Sequence, residues 1–317
     1  MDVESLRISE FTPVDLPPVI ALLDECMPLE QITIERFTRK VLLDPNFDVR
    51  GAQTAREPDG AAVGFVLAIA PETASEGGTD LRGYVTLIGV ARRLQGRGLG
   101  AELLRGAETY LASRGCTSIS ISAYGPGYWI PGVDPAAYPE ALEWLVKRGY
   151  SISSRPLSME SDLTVLGPTP PRITDSETRL RDEGVVFAPF TPHTVLPVLE
   201  LLTAEFGQDW ARTARETMHN ILGGQRTATA IWTATADGRC LGFAHFDGER
   251  FGPIGVAQRE RGRGIGAVLM YRALASMHSE GSARAYFLWT SDATAERLYR
   301  PAGFREVRRF HILGKPL

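Results

Sequence analysis

Five short strings recur in the same order in the two halves of this 317-residue chain. Phe11-Thr12-Pro13 returns as Phe190-Thr191-Pro192, Val63-Gly64-Phe65 as Leu241-Gly242-Phe243, and Ile88-Gly89-Val90 as Ile254-Gly255-Val256. Each of the last pair leads into a glycine-rich string, Gln95-Gly96-Arg97-Gly98-Leu99-Gly100 or Arg261-Gly262-Arg263-Gly264-Ile265-Gly266. Arg148-Gly149-Tyr150 finally answers Ala302-Gly303-Phe304. Chance explains such an ordered series poorly, so the chain reads as two copies of one fold.

Spacing shows where the copies differ. Phe11 and Phe65 are 54 positions apart, Phe190 and Phe243 are 53 apart, and the front ends therefore match. The first copy then carries extra residues at 71–83, a polar glycine-bearing stretch suited to a longer hairpin loop. It carries more at 124–138, where Tyr124, Tyr128, Trp129 and Tyr138 stand among glycines and prolines. That insertion reads as a rigid loop packed on protein, or as an aromatic lip for a ligand. The Pro/Thr/Ser-rich stretch 167–183 reads as a linker between domains at 1–166 and 184–317.

Within each copy the apolar spacing predicts helices over 14–26 and 194–206, then over 34–43 and 210–222. Strands are expected at 61–70, 84–90, 228–234 and 240–246. A helix follows each glycine string, ended by Gly115 or Gly281, then a strand (118–123 or 285–290) and a last helix ending at Gly149 or Gly303.

Composition narrows the functional classes. A net charge of -4 offers no general basic face for nucleic acid. Cys26, Cys116 and Cys240 are too dispersed for a disulfide framework or a zinc pattern. The histidines lack metal-ligand spacing, so no metal site is expected. The longest apolar stretch, at 61–70, is half a membrane span, and the expected location is the cytoplasm, without membrane or nucleic-acid partners.

A strand, a turn of glycines and a helix together form an anion site, because the first-turn N–H groups and the helix dipole both point into the turn. Arg97 and Arg263 add positive charge there. Neither copy is GxxxxGK[ST], and neither is GxGxxG with a strand-end acid, so nucleotide-hydrolysing and dinucleotide sites are disfavoured. Both fit [QR]xxGx[GA], through Gln95, Gly98 and Gly100 and through Arg261, Gly264 and Gly266.

On these residues both halves resemble the GNAT superfamily of acyl-CoA N-acyltransferases, and residues 256–270 resemble its CoA-binding segment. The resemblance implies two tandem α/β (α+β mixed-sheet) domains, each sheet splaying between its fourth and fifth strands to admit acetyl-CoA. It implies that backbone at Ile88 and Val90, and at Ile254 and Val256, meets pantetheine and the thioester carbonyl, and that Gln95–Gly100 and Arg261–Gly266 hold the pyrophosphate. A backbone N–H at such a place stabilises a developing oxyanion.

The family's proton donor to the leaving thiolate, a tyrosine four positions before the glycine of a Gly-Phe ending, matches Tyr299; the first half has Leu145 there. The resemblance therefore implies direct acetyl transfer to a small-molecule amine by the C-terminal half, in a monomer or homodimer. His245, Asp247 and Glu249 are candidate bases, and Asp209 and Trp210 candidate acceptor contacts. A CoA-binding scaffold without turnover, or two independent active sites, are the alternatives.

Overall fold

The computed structural model describes residues 6–72, 81–125 and 127–317, which form two compact units. The 71–83 stretch lies mostly outside the described residues. In the first unit the chain runs β1 (Arg7–Glu10), α1 (Leu16–Cys26), α2 (Ile34–Phe37, widening through Thr38–Leu42), β2 (Ala52–Arg56), β3 (Ala62–Ile69) and β4 (Arg82–Val90). It continues with α3 (Leu99–Ser113), β5 (Ser118–Ile121), α4 (Pro139–Val146) and β6 (Ser151–Ser154).

The second unit is Pro156–Arg309. It contains β7 (Leu157–Asp162), α5 (Pro171–Asp182), β8 (Val186–Pro189), α6 (Val195–Glu205), α7 (Gln208–Leu222), β9 (Ile231–Ala236), β10 (Arg239–Asp247) and β11 (Arg250–Val256). Then follow α8 (Ile265–Ser279), β12 (Arg284–Thr290), α9 (Asp292–Thr294, continuing as a wide turn Ala295–Tyr299) and β13 (Arg305–Arg309). Phe310–Leu317 returns to the first unit as β14 (Ile312–Pro316).

Each unit is a seven-stranded mixed sheet, ordered β1-β2-β3-β4-β5-β14-β6 and β8-β9-β10-β11-β12-β7-β13. All pairs are antiparallel except β4 with β5 and β11 with β12. The sixth place is filled from outside the repeat in both sheets: β14 comes from the chain's far end, and β7 precedes the second copy. Leu313 and Leu157 there are fully buried. This moves the boundaries read from the sequence. The units divide at Arg155/Pro156 and Arg309/Phe310, and most of 167–183 is the helix α5. Its Pro171 occupies the first helical turn, where no N–H is needed, and Ile173 and Leu180 enter the second core seven positions apart.

The repeated strings are now explained. Gly64 and Gly242 face the helix after the glycine loop: a Cβ on Gly64 would lie 2.8 Å from Leu103, and one on Gly242 3.1 Å from Leu269. Gly89 and Gly255 face the other way, onto Cys26 and Phe206. Because residues alternate across a strand, α3 and α1 cover opposite faces of the first sheet, as α8 and α6 do in the second. Thr12 and Thr191 cap the turns leading into α1 and α6, each paired reciprocally with the residue three on. Gly149 and Gly303 take positive φ after the last helix, and Tyr150 and Phe304 behind them are buried.

Candidate acyl-transfer site

The sheet opens where the resemblance implied. In the second unit β11 and β12 are in register only at Arg250↔Tyr286, and beyond it they part. In the first unit β4 and β5 stay paired through Val85↔Ile121, so the second gap opens earlier. The register also orients the backbone. Ala257 N–H bonds to Leu241 O and Ala91 N–H to Val63 O, so Gly255 and Gly89 exchange bonds with their antiparallel neighbours. Alternation then turns the amides of Ile254 and Val256, and of Ile88 and Val90, toward the gap.

Beyond each gap lies the glycine loop. The amides of Gly262, Arg263, Gly264, Ile265 and Gly266 have no protein acceptor among the described residues, nor have those of Gly96, Gly98, Leu99 and Gly100. Gly98 and Gly264 both cap their helix at φ 96°, a conformation that places the loop amides in a concave run and that only glycine adopts without strain. Leu99 and Ile265 bury their side chains and anchor the helix, leaving their amides outward.

The first motif residue does something sequence reasoning missed. Gln95 Nε2 donates to Val90 O at 2.9 Å, and Arg261 Nε to Val256 O at 3.1 Å. Each side chain folds back over the strand end and closes the loop, so glutamine and arginine are interchangeable as donors. Arg263 is likewise a loop-holding group: it pairs with Glu260 and Glu183, while Arg179 of α5 donates to its carbonyl at 2.7 Å. A second repeated device is a carboxylate at the end of the first helix. Glu25 accepts from Arg92 N–H at 3.1 Å and Glu205 from Gln258 N–H at 2.6 Å, an equivalence visible in the sequence as an acid just before Cys26 and Phe206.

Tyr299 closes the deep end of the second gap. It ends the wide turn after α9, and its ring packs on Phe287 of β12 (centroids 4.3 Å apart), Phe304 (5.5 Å) and Phe251 of β11 (6.4 Å). The residue is buried, yet its hydroxyl meets no protein donor or acceptor among the described residues. Burial alone pushes its pKa above the ordinary phenol value, so it holds its proton. Leu145 stands at this position in the first unit and is buried without any donor to offer.

The remaining sequence-nominated residues are engaged elsewhere. His245 is buried, its Nδ1–H donating to Gly252 O at 3.0 Å and its Nε2 facing Thr217 Oγ1 at 2.8 Å. Burial lowers its pKa to about 4, and with both nitrogens used it braces β11 as a neutral imidazole rather than offering a base. Glu249 accepts from Arg284 Nε at 2.7 Å in the β10–β11 turn, and Asp247 pairs with Arg226 at 2.7 Å. Trp210 stacks on Phe206 at 4.9 Å and meets Phe243 edge-on, within an apolar cluster, so packing accounts for it; Asp209 is exposed.

The described residues of the 124–138 insertion pack on their own unit. Tyr124 donates to Asp44 at 2.9 Å, Tyr138 to Glu30 at 2.9 Å, and Arg36 and Lys40 lie over the Trp129 ring. Among the described residues no cluster of His, Cys, Asp or Glu could hold a metal ion, and no helix is long and apolar enough to cross a membrane.

Known proteins with this architecture agree. The chain is similar to a GCN5-related glucosamine N-acetyltransferase region of a fungal multi-domain GH3 beta-N-acetylglucosaminidase, with TM-score 0.81 and 19% identity. That match covers 98% of this chain and 38% of the fungal one, so the chain spans well under half of that protein. A GCN5-related N-acetyltransferase from Sphaerobacter thermophilus matches with TM-score 0.71 and 19% identity over 100% of this chain and 97% of its own. A tandem GNAT protein from the clavulanic acid biosynthesis pathway matches with TM-score 0.63 and 14% identity, over 98% of both chains. No curated protein matches the sequence. The profile of the acetyltransferase (GNAT) family matches twice, at residues 17–125 and 195–304, each span running from the first helix past the glycine loop, and the chain therefore belongs to that family, with two of its domains in tandem.

Proposed function

We propose that this protein is an acetyl-CoA-dependent N-acetyltransferase of a small-molecule amine, and that the second unit carries out the transfer. The observation that carries the reading is Tyr299, a buried, protonated phenol at the closed end of a gap whose open end is a run of five amides, the phenol and the amides alike without a protein partner among the described residues. Those amides fit a pyrophosphate. The Ile254 and Val256 amides, turned toward the gap, fit a pantetheine chain and the thioester oxygen.

Acetyl-CoA supplies the acyl group; the protein's part is to bind it, to polarise its carbonyl through a backbone N–H, and to place the Tyr299 proton for the departing thiolate. Direct attack by the amine needs no nucleophilic side chain. With His245 and Glu249 both engaged, the amine enters neutral and, once it has attacked, passes the proton it must lose to water, which returns a proton to Tyr299 after the thiol has left. Amine-dependent thiol release from acetyl-CoA across a panel of amines tests the activity. A chain that binds acetyl-CoA but releases no thiol with any amine supports the scaffold alternative instead.

A further inference from the structure

The two glycine loops are equivalent in backbone but not in what lies over them. In the first unit a Cβ built on Gly100 would lie 3.3 Å from Trp144 Cζ2 of α4 and 3.6 Å from Val90 Cγ2 at the strand end. An indole edge thus sits on the first turn of α3, beside the end of β4. In the second unit the same construction on Gly266 meets, among the described residues, only Val256 Cγ2, at 3.3 Å. Counted back from the Gly149 and Gly303 landmarks, the residue matching Trp144 is Leu298, which brings no atom to that spot.

The indole is fixed there. The Arg148 guanidinium carbon stacks 4.1 Å from the ring centroid, and Arg148 Nη1 donates to Trp144 O at 3.0 Å. A long ligand with its phosphates on the α3 amides and its tail between β4 and β5 would cross the first turn of α3 beside the end of β4, where Trp144 of α4 sits. Gly100 is small at that crossing, and the space its missing side chain leaves is filled by Trp144. The register agrees, because β4 and β5 stay paired deeper into the gap than β11 and β12 do.

We propose that Trp144 takes the place of acyl-CoA in the first unit, so that each chain binds one CoA, in the second unit. This rests on the acyl-CoA reading of the fold and adds to it a residue that decides which copy loads. Arg148 positions the indole, and the first unit keeps an exposed amide run whose crossing toward the β4–β5 gap, beside Gly100, is filled.

Calorimetric titration with CoA, on the full chain, tests this by stoichiometry. One CoA per chain is expected for the wild type, two for Trp144→Leu, and none for Leu298→Trp. Should Leu298→Trp lower the melting temperature, Gly264→Glu removes the second site independently, and Trp144→Leu/Gly264→Glu should then bind one. Trp144→Leu should leave turnover at the wild-type level. Two CoA on the wild type, or one on Trp144→Leu, overturns the proposal. None on the wild type overturns the acyl-CoA reading itself.

Discussion

Replacing Tyr299 by Phe removes one oxygen from the second unit and little else. The ring keeps its place among Phe251, Phe287 and Phe304, and the lost hydroxyl leaves no protein group without a partner among the described residues. The expected change in folding stability is therefore within about 0.5 kcal/mol, since the usual penalty of such a deletion comes from orphaned partners. The effect on catalysis is different in size. A positioned general acid contributes roughly 10²–10⁴-fold, or about 2.7–5.5 kcal/mol of barrier, so kcat should fall by that factor. The loop amides and the strand edge are untouched, and the Kd for CoA should stay within about twofold of wild type.

Thiol release under saturating acetyl-CoA reads kcat, and titration calorimetry reads Kd. Burial holds the phenol protonated above its ordinary pKa near 10, so the wild-type rate should show no basic limb from this group below about pH 9. Turnover of Tyr299→Phe within about threefold of wild type refutes the assignment of the acid. A parallel loss of CoA affinity refutes the claim that the hydroxyl acts only on the leaving group.

His245 offers a stability test. Its pKa is near 4 when folded against about 6.5 unfolded, so between those values the unfolded chain binds more protons and stability falls as pH falls. Acidification from pH 7 to 5 should cost the second unit about 2 kcal/mol through this residue, and His245→Gln should flatten that slope in urea melts followed at both pH values. The exchanged strand offers another. Leu313 is fully buried between β5 and β6, so Leu313→Asp should destabilise the first unit by more than about 3 kcal/mol. Hydrogen exchange should then rise in Ser118–Ile121 and Ser151–Ser154 while CoA binding persists; protection unchanged in those strands contradicts the assignment of β14 to that sheet.

The doubling, the helices beside the loops and the loops themselves were legible because each repeated string serves a local need. Glycines make room for helices on both sheet faces, threonines cap, and glycines again end the last helices. What stayed hidden was nonlocal or masked by composition. β2, at Ala52–Arg56, is too short to show a period, and β11 carries Gly252 and Pro253, which read as turn residues. α5 looked like a linker because of its prolines and threonines. Its helical signs were the spacing of Ile173 and Leu180 and the pairs Glu177–Arg181 and Arg179–Glu183 at i,i+4. That β14 and β7 complete sheets outside their own repeats is fixed by pairing across more than a hundred residues, which no local pattern records.

At the site, the [QR]xxGx[GA] glycines were readable as an anion loop, whereas the inward turn of Gln95 and Arg261 onto strand-end carbonyls was not. His245 was visible as a histidine at a strand end, but its two hydrogen bonds, which decide its role, depend on the partners Gly252 and Thr217 that only the folded chain brings to it.

The central claim, that one of two similar loops feeds the working site, is tested most directly by placing the same charge in each. Gly98→Glu and Gly264→Glu each set a carboxylate and a strained positive φ at the helix cap among the loop amides. Amine-dependent thiol release, measured on both variants beside wild type, should stay near wild type for Gly98→Glu and vanish for Gly264→Glu. Loss of activity in Gly98→Glu, or about half the activity remaining in each variant, contradicts the account.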